Sequence, residues 1–133
     1  MNNLQEFLLA DKITERKEQI NLGGRLEKYP LTIRSLTTDE YHSIRTMALE
    51  NPNSNKKRRF NINKFNDNVV IACLVDPNLK DAEMLKAANL MDSIQLLHKV
   101  FLPGEIDIIS EKILEASGFN TDMEEDIDEV KNF

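Results

Sequence analysis

The chain has 133 residues and a mass of 15.3 kDa, with 17 basic and 23 acidic side chains and a net charge of −6. That is about one domain's worth of chain, and 41% apolar residues are enough to bury one core. A single cysteine, Cys73, excludes an internal disulfide framework and a cysteine zinc cluster. The pI of 5.0 argues against bulk nucleic-acid binding, which needs a clustered positive surface.

The first residues, MNNLQEFLLADK, show neither a basic leader nor an apolar run of signal length. The longest apolar run anywhere is Val69–Val75, far short of the ~20 residues that span a bilayer. The expectation is a soluble protein of the cytoplasm. Leu4, Phe7 and Leu8 at i, i+3, i+4 predict a short amphipathic helix that needs a docking surface, because short helices are marginal alone. Residues 17–22 alternate polar and apolar, Gly23-Gly24 marks a hairpin turn, and Tyr29, Leu31 and Ile33 give a second strand with one apolar face. Pro30 lacks a donor, so a free edge is expected there.

Thr37-x-x-Glu40 is a capping box, and it opens a helix carrying Tyr41, Ile44 and Ala48 on one face. Asn51-Pro52-Asn53 is expected to end that helix, and residues 51–59, NPNSNKKRR, read as an exposed loop. Residues 62–75 keep helical spacing at Phe65, Val69 and Ala72, although VVIACLV alone also suits a buried strand; Asp67 and Asn68 favour the helix. After the Asp76-Pro77-Asn78 turn, a helix over about 81–88 should turn Ala82 and Leu85 inward. Asp92 caps the next helix, with Ile94, Leu97 and Phe101 as its stripe. Pro103-Gly104-Glu105 then starts a helix with Ile106, Ile109 and Ile113 on its inner face and Gly118 at its C-cap. The fold class is α+β: mostly α-helical, with a small N-terminal antiparallel β-hairpin and an acidic C-terminal tail. Residues 1–119 read as one domain and 120–133 as the separate acidic segment.

No phosphate loop, dinucleotide fingerprint or nucleophile elbow occurs. His42 and His98 lack the further ligands of a metal site, and a solvated or packed imidazole is the simpler account of each. Cys73 lies in an apolar run, where a thiol is inert. Asp122-x-Glu124-x-Asp126-x-Asp128 imitates a calcium loop, but Ile127 stands where the loop needs glycine and Phe133 where it needs glutamate. No catalytic, cofactor-binding or metal-ligating residue can therefore be named, and the expectation is a non-enzyme without a cofactor.

Two segments could bind a partner. Lys56-Lys57-Arg58-Arg59, with Phe60 and Phe65 nearby, is either a soluble loop tip or a contact for acidic protein or nucleic acid. Residues 120–133 hold six acids against Lys131 alone, so five of the six net negative charges lie there. Thr121-x-x-Glu124 is a second capping box, and Met123, Ile127 and Val130 follow on one helical face. Like charges on the other face oppose a helix in isolation, so this segment is either a frayed last helix or one that forms in a partner's apolar groove.

The order of these features resembles one family. From Leu74 the chain reads LVDPNLKD, then a short helix, then LLHKVFLPGEIDIISEKILEASGF, then an acidic stretch ending Val130-Lys131-Asn132. Leu102-Pro103-Gly104-Glu105, followed by Ile106, Ile109 and Ile113 and closed by Ser117-Gly118-Phe119, carries most of the likeness. The Asp76-Pro77-Asn78-Leu79 turn and the hairpin followed by Leu36-Thr37-Thr38-Asp39-Glu40 add to it. The chain is similar over most of residues 4–132 to the XkdN-like phage tail assembly chaperones. It departs from their pattern at the basic loop 56–59 and at Ala116, where a larger apolar residue is expected.

The resemblance implies a non-structural protein of tailed phages, prophages or tail-like particles, acting in the host cytoplasm. It implies binding to the long tape measure protein, with the tail tube protein as a second candidate partner. The tape measure would stay soluble while the tube polymerises around it. On this reading the partner-binding residues are Met123, Ile127 and Val130 on the tail face, with Leu102, Gly104, Glu105 and Phe119 from the signature. For all four signature residues, Leu102, Gly104, Glu105 and Phe119, maintenance of the fold is the simpler account: Gly104 allows a tight approach, Glu105 favours the positive helix end and Phe119 packs after the C-cap. The competing readings are a structural component of the tail and a small nucleic-acid-binding regulator using Lys56–Arg59 and Phe60.

Overall fold

A computed structural model of the chain describes residues 2–10, 16–50 and 59–119. The elements run α1 (Asn3–Leu9), β1 (Lys17–Ile20), β2 (Leu31–Arg34), α2 (Thr38–Met47), β3 (Leu49–Glu50), β4 (Arg59–Phe60), α3 (Ile62–Cys73), β5 (Leu74–Asp76), α4 (Ala82–Ala87), α5 (Ser93–Val100) and α6 (Pro103–Ala116). The fold is α+β, as the sequence implies. The boundary expected after residue 119, the acidic residues that follow it and Lys56–Arg58 all lie outside the described residues.

The core forms where α3 lies against α6, with the small sheet beside them. Phe65, Val69, Val70 and Cys73 of α3 and Ile109, Ile113 and Leu114 of α6 are fully buried. Each such aliphatic or aromatic side chain contributes about 1.5–3 kcal/mol on leaving water, so these two helices dominate stability. One polar link crosses the interface: Ser110 Oγ donates to Asn66 Oδ1 at 2.9 Å, and Asn66 Nδ2 donates to Asp107 Oδ1 at 3.2 Å. Ala116 is buried too. Helix α6 ends in a Schellman motif, with Gly118 at φ 106 and Phe119 N–H reaching the Leu114 carbonyl.

The three-stranded sheet has the order β1-β2-β5 and is antiparallel throughout. Strand β2 is therefore central, which corrects the free edge expected from Pro30. The ladder begins at Leu31, paired with Ile20, so Pro30 stands outside it and its missing donor costs nothing. Tyr29 likewise precedes the strand and is exposed. Gly23 and Gly24 do adopt positive φ, but they lead into a 3-10 turn over Gly24–Leu26 and not a two-residue hairpin. The Asn21 side chain holds the longer connection together, accepting from Gly23 N–H and donating to the Glu27 carbonyl.

Further expectations change. Helix α2 starts at its Thr37–Glu40 capping box but ends at Met47, before Asn51-Pro52-Asn53 is reached. Leu49 and Glu50 are taken instead into a ladder with Phe60 and Arg59, so Arg59 is a strand residue and not loop. VVIACLV is divided: helix to Cys73, then strand from Leu74, whose pairing with Ile33 of β2 outcompetes another helical turn. In α4, Ala82 is exposed, and Met84 and Leu85 pack on the core. In α5, Ile94 is 37% exposed because the inward face is set by Leu96, Leu97 and Phe101. Among the described residues nothing buries the apolar face of α1 as expected: Leu4, Phe7, Leu8 and Leu9 are all exposed.

Candidate partner-binding site

The signature Leu102-Pro103-Gly104-Glu105 forms the junction between α5 and α6. Proline at the first helical position has no N–H to leave unsatisfied. Glu105, at the third, turns back to accept from Leu102 N–H at 2.7 Å. Arg25, delivered by the 3-10 turn, donates from Nε to Glu105 at 3.0 Å and from a terminal nitrogen to the Val100 carbonyl at 2.6 Å. One guanidinium thus binds the carboxylate at the start of α6 and a carbonyl at the end of α5, where the helix dipoles favour those charges. Burial pushes the Glu105 carboxyl up, but Arg25 and the Leu102 N–H outweigh it and hold the pKa below the ordinary value.

A second clamp of the same kind secures the sheet. Arg34 of β2 binds both carboxyl oxygens of Glu40 at 2.8 and 2.7 Å and donates to the Ala72 carbonyl near the end of α3. The Arg34 hydrogen bonds, opposed by partial burial and aided by the Thr37 N–H, lower the Glu40 pKa to about 2.

Beside the α5–α6 junction a cleft of ≈ 360 Å³ opens between α3, α5 and α6. Phe101, Pro103 and Ile106 supply its apolar surface, and Asn66, Asp67, His98 and Asp107 its polar one. His98 Nε2 meets Asp67 at 2.9 Å, and its side chain is largely exposed. A smaller hollow near the end of α6 is lined by Tyr41, His42 and Phe119, whose ring lies 5.4 Å from that of Tyr41. Among the described residues no cluster of His, Cys, Asp and Glu could hold a metal, and no helix is long and apolar enough to cross a membrane.

The sequence-derived site residues separate accordingly. Leu102 is 55% exposed, and a Cβ added at Gly104 would meet nothing within 4 Å, so both face open space. Glu105 is engaged in the clamp, and Phe119 packs on the core cluster. Met123, Ile127 and Val130 lie outside the described residues. Sequence reading passes over Arg25 and Asp107, uses Asp67 only as an argument against a strand, and sees in His98 only a solvated or packed ring. Arg25 meets Glu105 across 80 positions of chain, a pairing that no local pattern announces.

Residues 4–131 match the family model for the phage XkdN-like tail assembly chaperone protein, TAC. The chain belongs to this tail assembly chaperone family. Among curated proteins none matches. Among solved structures, the crystal structure of the protein yqbn is similar, with a TM-score of 0.66 at 17% identity, over 90% of this chain and 98% of that one. At that identity the likeness shows the fold alone. For a tail assembly chaperone, partners among phage tail proteins follow from membership of the family.

Proposed function

We propose that this tail assembly chaperone binds the tape measure protein and keeps it soluble in the host cytoplasm while the tail tube polymerises around it, without enzymatic activity or cofactor. The observation that carries the reading is the family match across residues 4–131. The physics is compatible with it. A long protein with apolar helical faces is an aggregation hazard until covered, and a covering protein gains solubility from net negative charge. We assign partner contacts to Met123, Ile127 and Val130 in the acidic segment, and to Leu102 and Gly104 at the open end of α6. Glu105 and Phe119 act through the fold, holding the α6 ends in place.

The test is co-expression with the tape measure protein encoded by the same phage or prophage, comparing the full chain with one ending at Phe119. Capture of soluble tape measure protein by the full chain is the expected result, and loss of capture on truncation would put binding in the acidic segment. Capture by both chains would move the contact to the helical body. A tape measure protein that stays insoluble and uncaptured would remove the chaperone reading. Stoichiometric recovery of this chain in mature tails would replace it with a structural role.

A further inference from the structure

We propose that the cleft between α3, α5 and α6 receives a lysine or arginine carried on an amphipathic helix of the partner, with Asp67 and Asp107 meeting the cationic head. The inference rests on the reading of this chain as a binder of helical tail protein, and it names the chemistry that one surface selects.

Three observations converge. First, the cleft is a built concavity: ≈ 360 Å³ is at the small end of the ~300–1,000 Å³ typical of ligand clefts. Second, its two carboxylates have capacity to spare. Asp67 gives one oxygen to His98, and Asp107 gives one to Asn66. The second oxygen of each has no hydrogen-bond partner among the described residues. No lysine or arginine lines the cleft to neutralise them. Asn66, nearly fully buried and locked to Ser110, fixes the position of Asp107. Third, apolar surface frames these charges. Phe101, Pro103 and Ile106 line the cleft, where an alkyl stem can lie while its charged head reaches the carboxylates. Outside the lining itself, Ile94, one turn before His98 on the same face of α5, and Leu102, next to Pro103 in the chain, are exposed apolar side chains. An isolated amine would leave the apolar surface of Phe101, Pro103 and Ile106 uncovered; a helix with an apolar stripe flanked by a base would cover it. Nucleic acid is disfavoured because the cleft presents carboxylates to its phosphates.

The experiment uses the full chain and three synthetic amphipathic helices that share one apolar face and differ only in a flanking Lys, Gln or Glu. Fluorescence anisotropy should show the Lys peptide binding about tenfold tighter than the Gln peptide and the Glu peptide weakest, with the preference shrinking at high salt. The double substitution Asp67→Asn and Asp107→Asn should erase the preference while the urea midpoint stays close to that of the parent. If that variant fails to fold, Asp107→Asn alone, at an exposed position, should cut the preference about threefold. Lys112→Gln, outside the cleft lining, should leave it intact. Equal binding of the three peptides, no binding of any, or a preference that survives both Asp107 variants would overturn the inference. Peptide selectivity without capture of the tape measure protein would instead remove the proposed function and leave the cleft chemistry standing.

Discussion

Helices α1 and α6 share one feature at their starts: the side chain at the third position accepts from the N–H of the residue before the helix. In α1 the Asn2 side chain accepts from Gln5 N–H while the Gln5 side chain accepts from Asn2 N–H, both at 2.8 Å. In α6 Glu105 accepts from Leu102 N–H. Both helices repeat apolar residues at helical spacing. Yet α6 buries six side chains and α1 buries none. Capping and periodicity therefore specify that a segment can be a helix; what it rests on is decided by length and by partners elsewhere in the chain. Helix α6 has 14 residues and meets α3 along its inner face, whereas α1 has 7 and its side chains face solvent.

The comparison breaks most visibly under truncation of a core side chain. Ile109→Ala in α6 removes a fully buried side chain from the contact with α3 and should cost about 3–4 kcal/mol, read from urea unfolding followed by circular dichroism. A loss below about 1 kcal/mol would mean that the α3–α6 interface is far looser than its burial implies.

A smaller effect sharpens the contrast by pH. The body helices are tied to the sheet and turns by arginine clamps; among the described residues, no hydrogen bond of α1 reaches the body. Glu40 has a folded-state pKa of about 2 against a reference of 4.5, so its carboxylate stabilises the fold fully above pH 4.5. That contribution fades as pH falls from there toward 2, because protonation is easier in the unfolded chain. Glu40→Gln should cost about 1 kcal/mol at neutral pH, modest because the pair is part-exposed, and should flatten the acid limb of the melting-temperature profile. An unchanged profile between pH 5 and 2 would show that Arg34 and Glu40 do not hold each other in solution.

How much was legible follows from the range of each interaction. The capping box at Thr37, the cap at Asp92, the proline start and glycine end of α6 and its inward isoleucines are local, and all were readable. The division of VVIACLV at Leu74, the early end of α2 and the central place of β2 were not. Each is decided by a strand partner distant in sequence, Ile33 for Leu74 and Phe60 for Leu49. The inward faces of α4 and α5 were misjudged at Ala82 and Ile94 for a related reason: the neighbouring core takes Met84 beside Leu85 and Leu96 beside Leu97, a choice that spacing within each short helix does not determine. The family signature lies at the α5–α6 junction beside the cleft, but the residues that give the cleft its charge, Asp67 and Asp107, come from two helices and form no motif.

The least effect of all is expected where the comparison began. Replacing Phe7 and Leu8 of α1 by serine removes two large apolar side chains, yet both are exposed in the folded chain. Surface changes of this kind shift stability by no more than about 0.5 kcal/mol. Burial at α6 positions of similar apolar volume carries several times that. The measurement is again urea unfolding, with the far-ultraviolet signal reporting any loss of the short helix itself. A midpoint unchanged while a little helicity disappears would establish α1 as an element that neither supports the body nor is supported by it. A destabilisation above about 1 kcal/mol would show that α1 packs on the body in solution, and the difference between the two helices would then be one of degree.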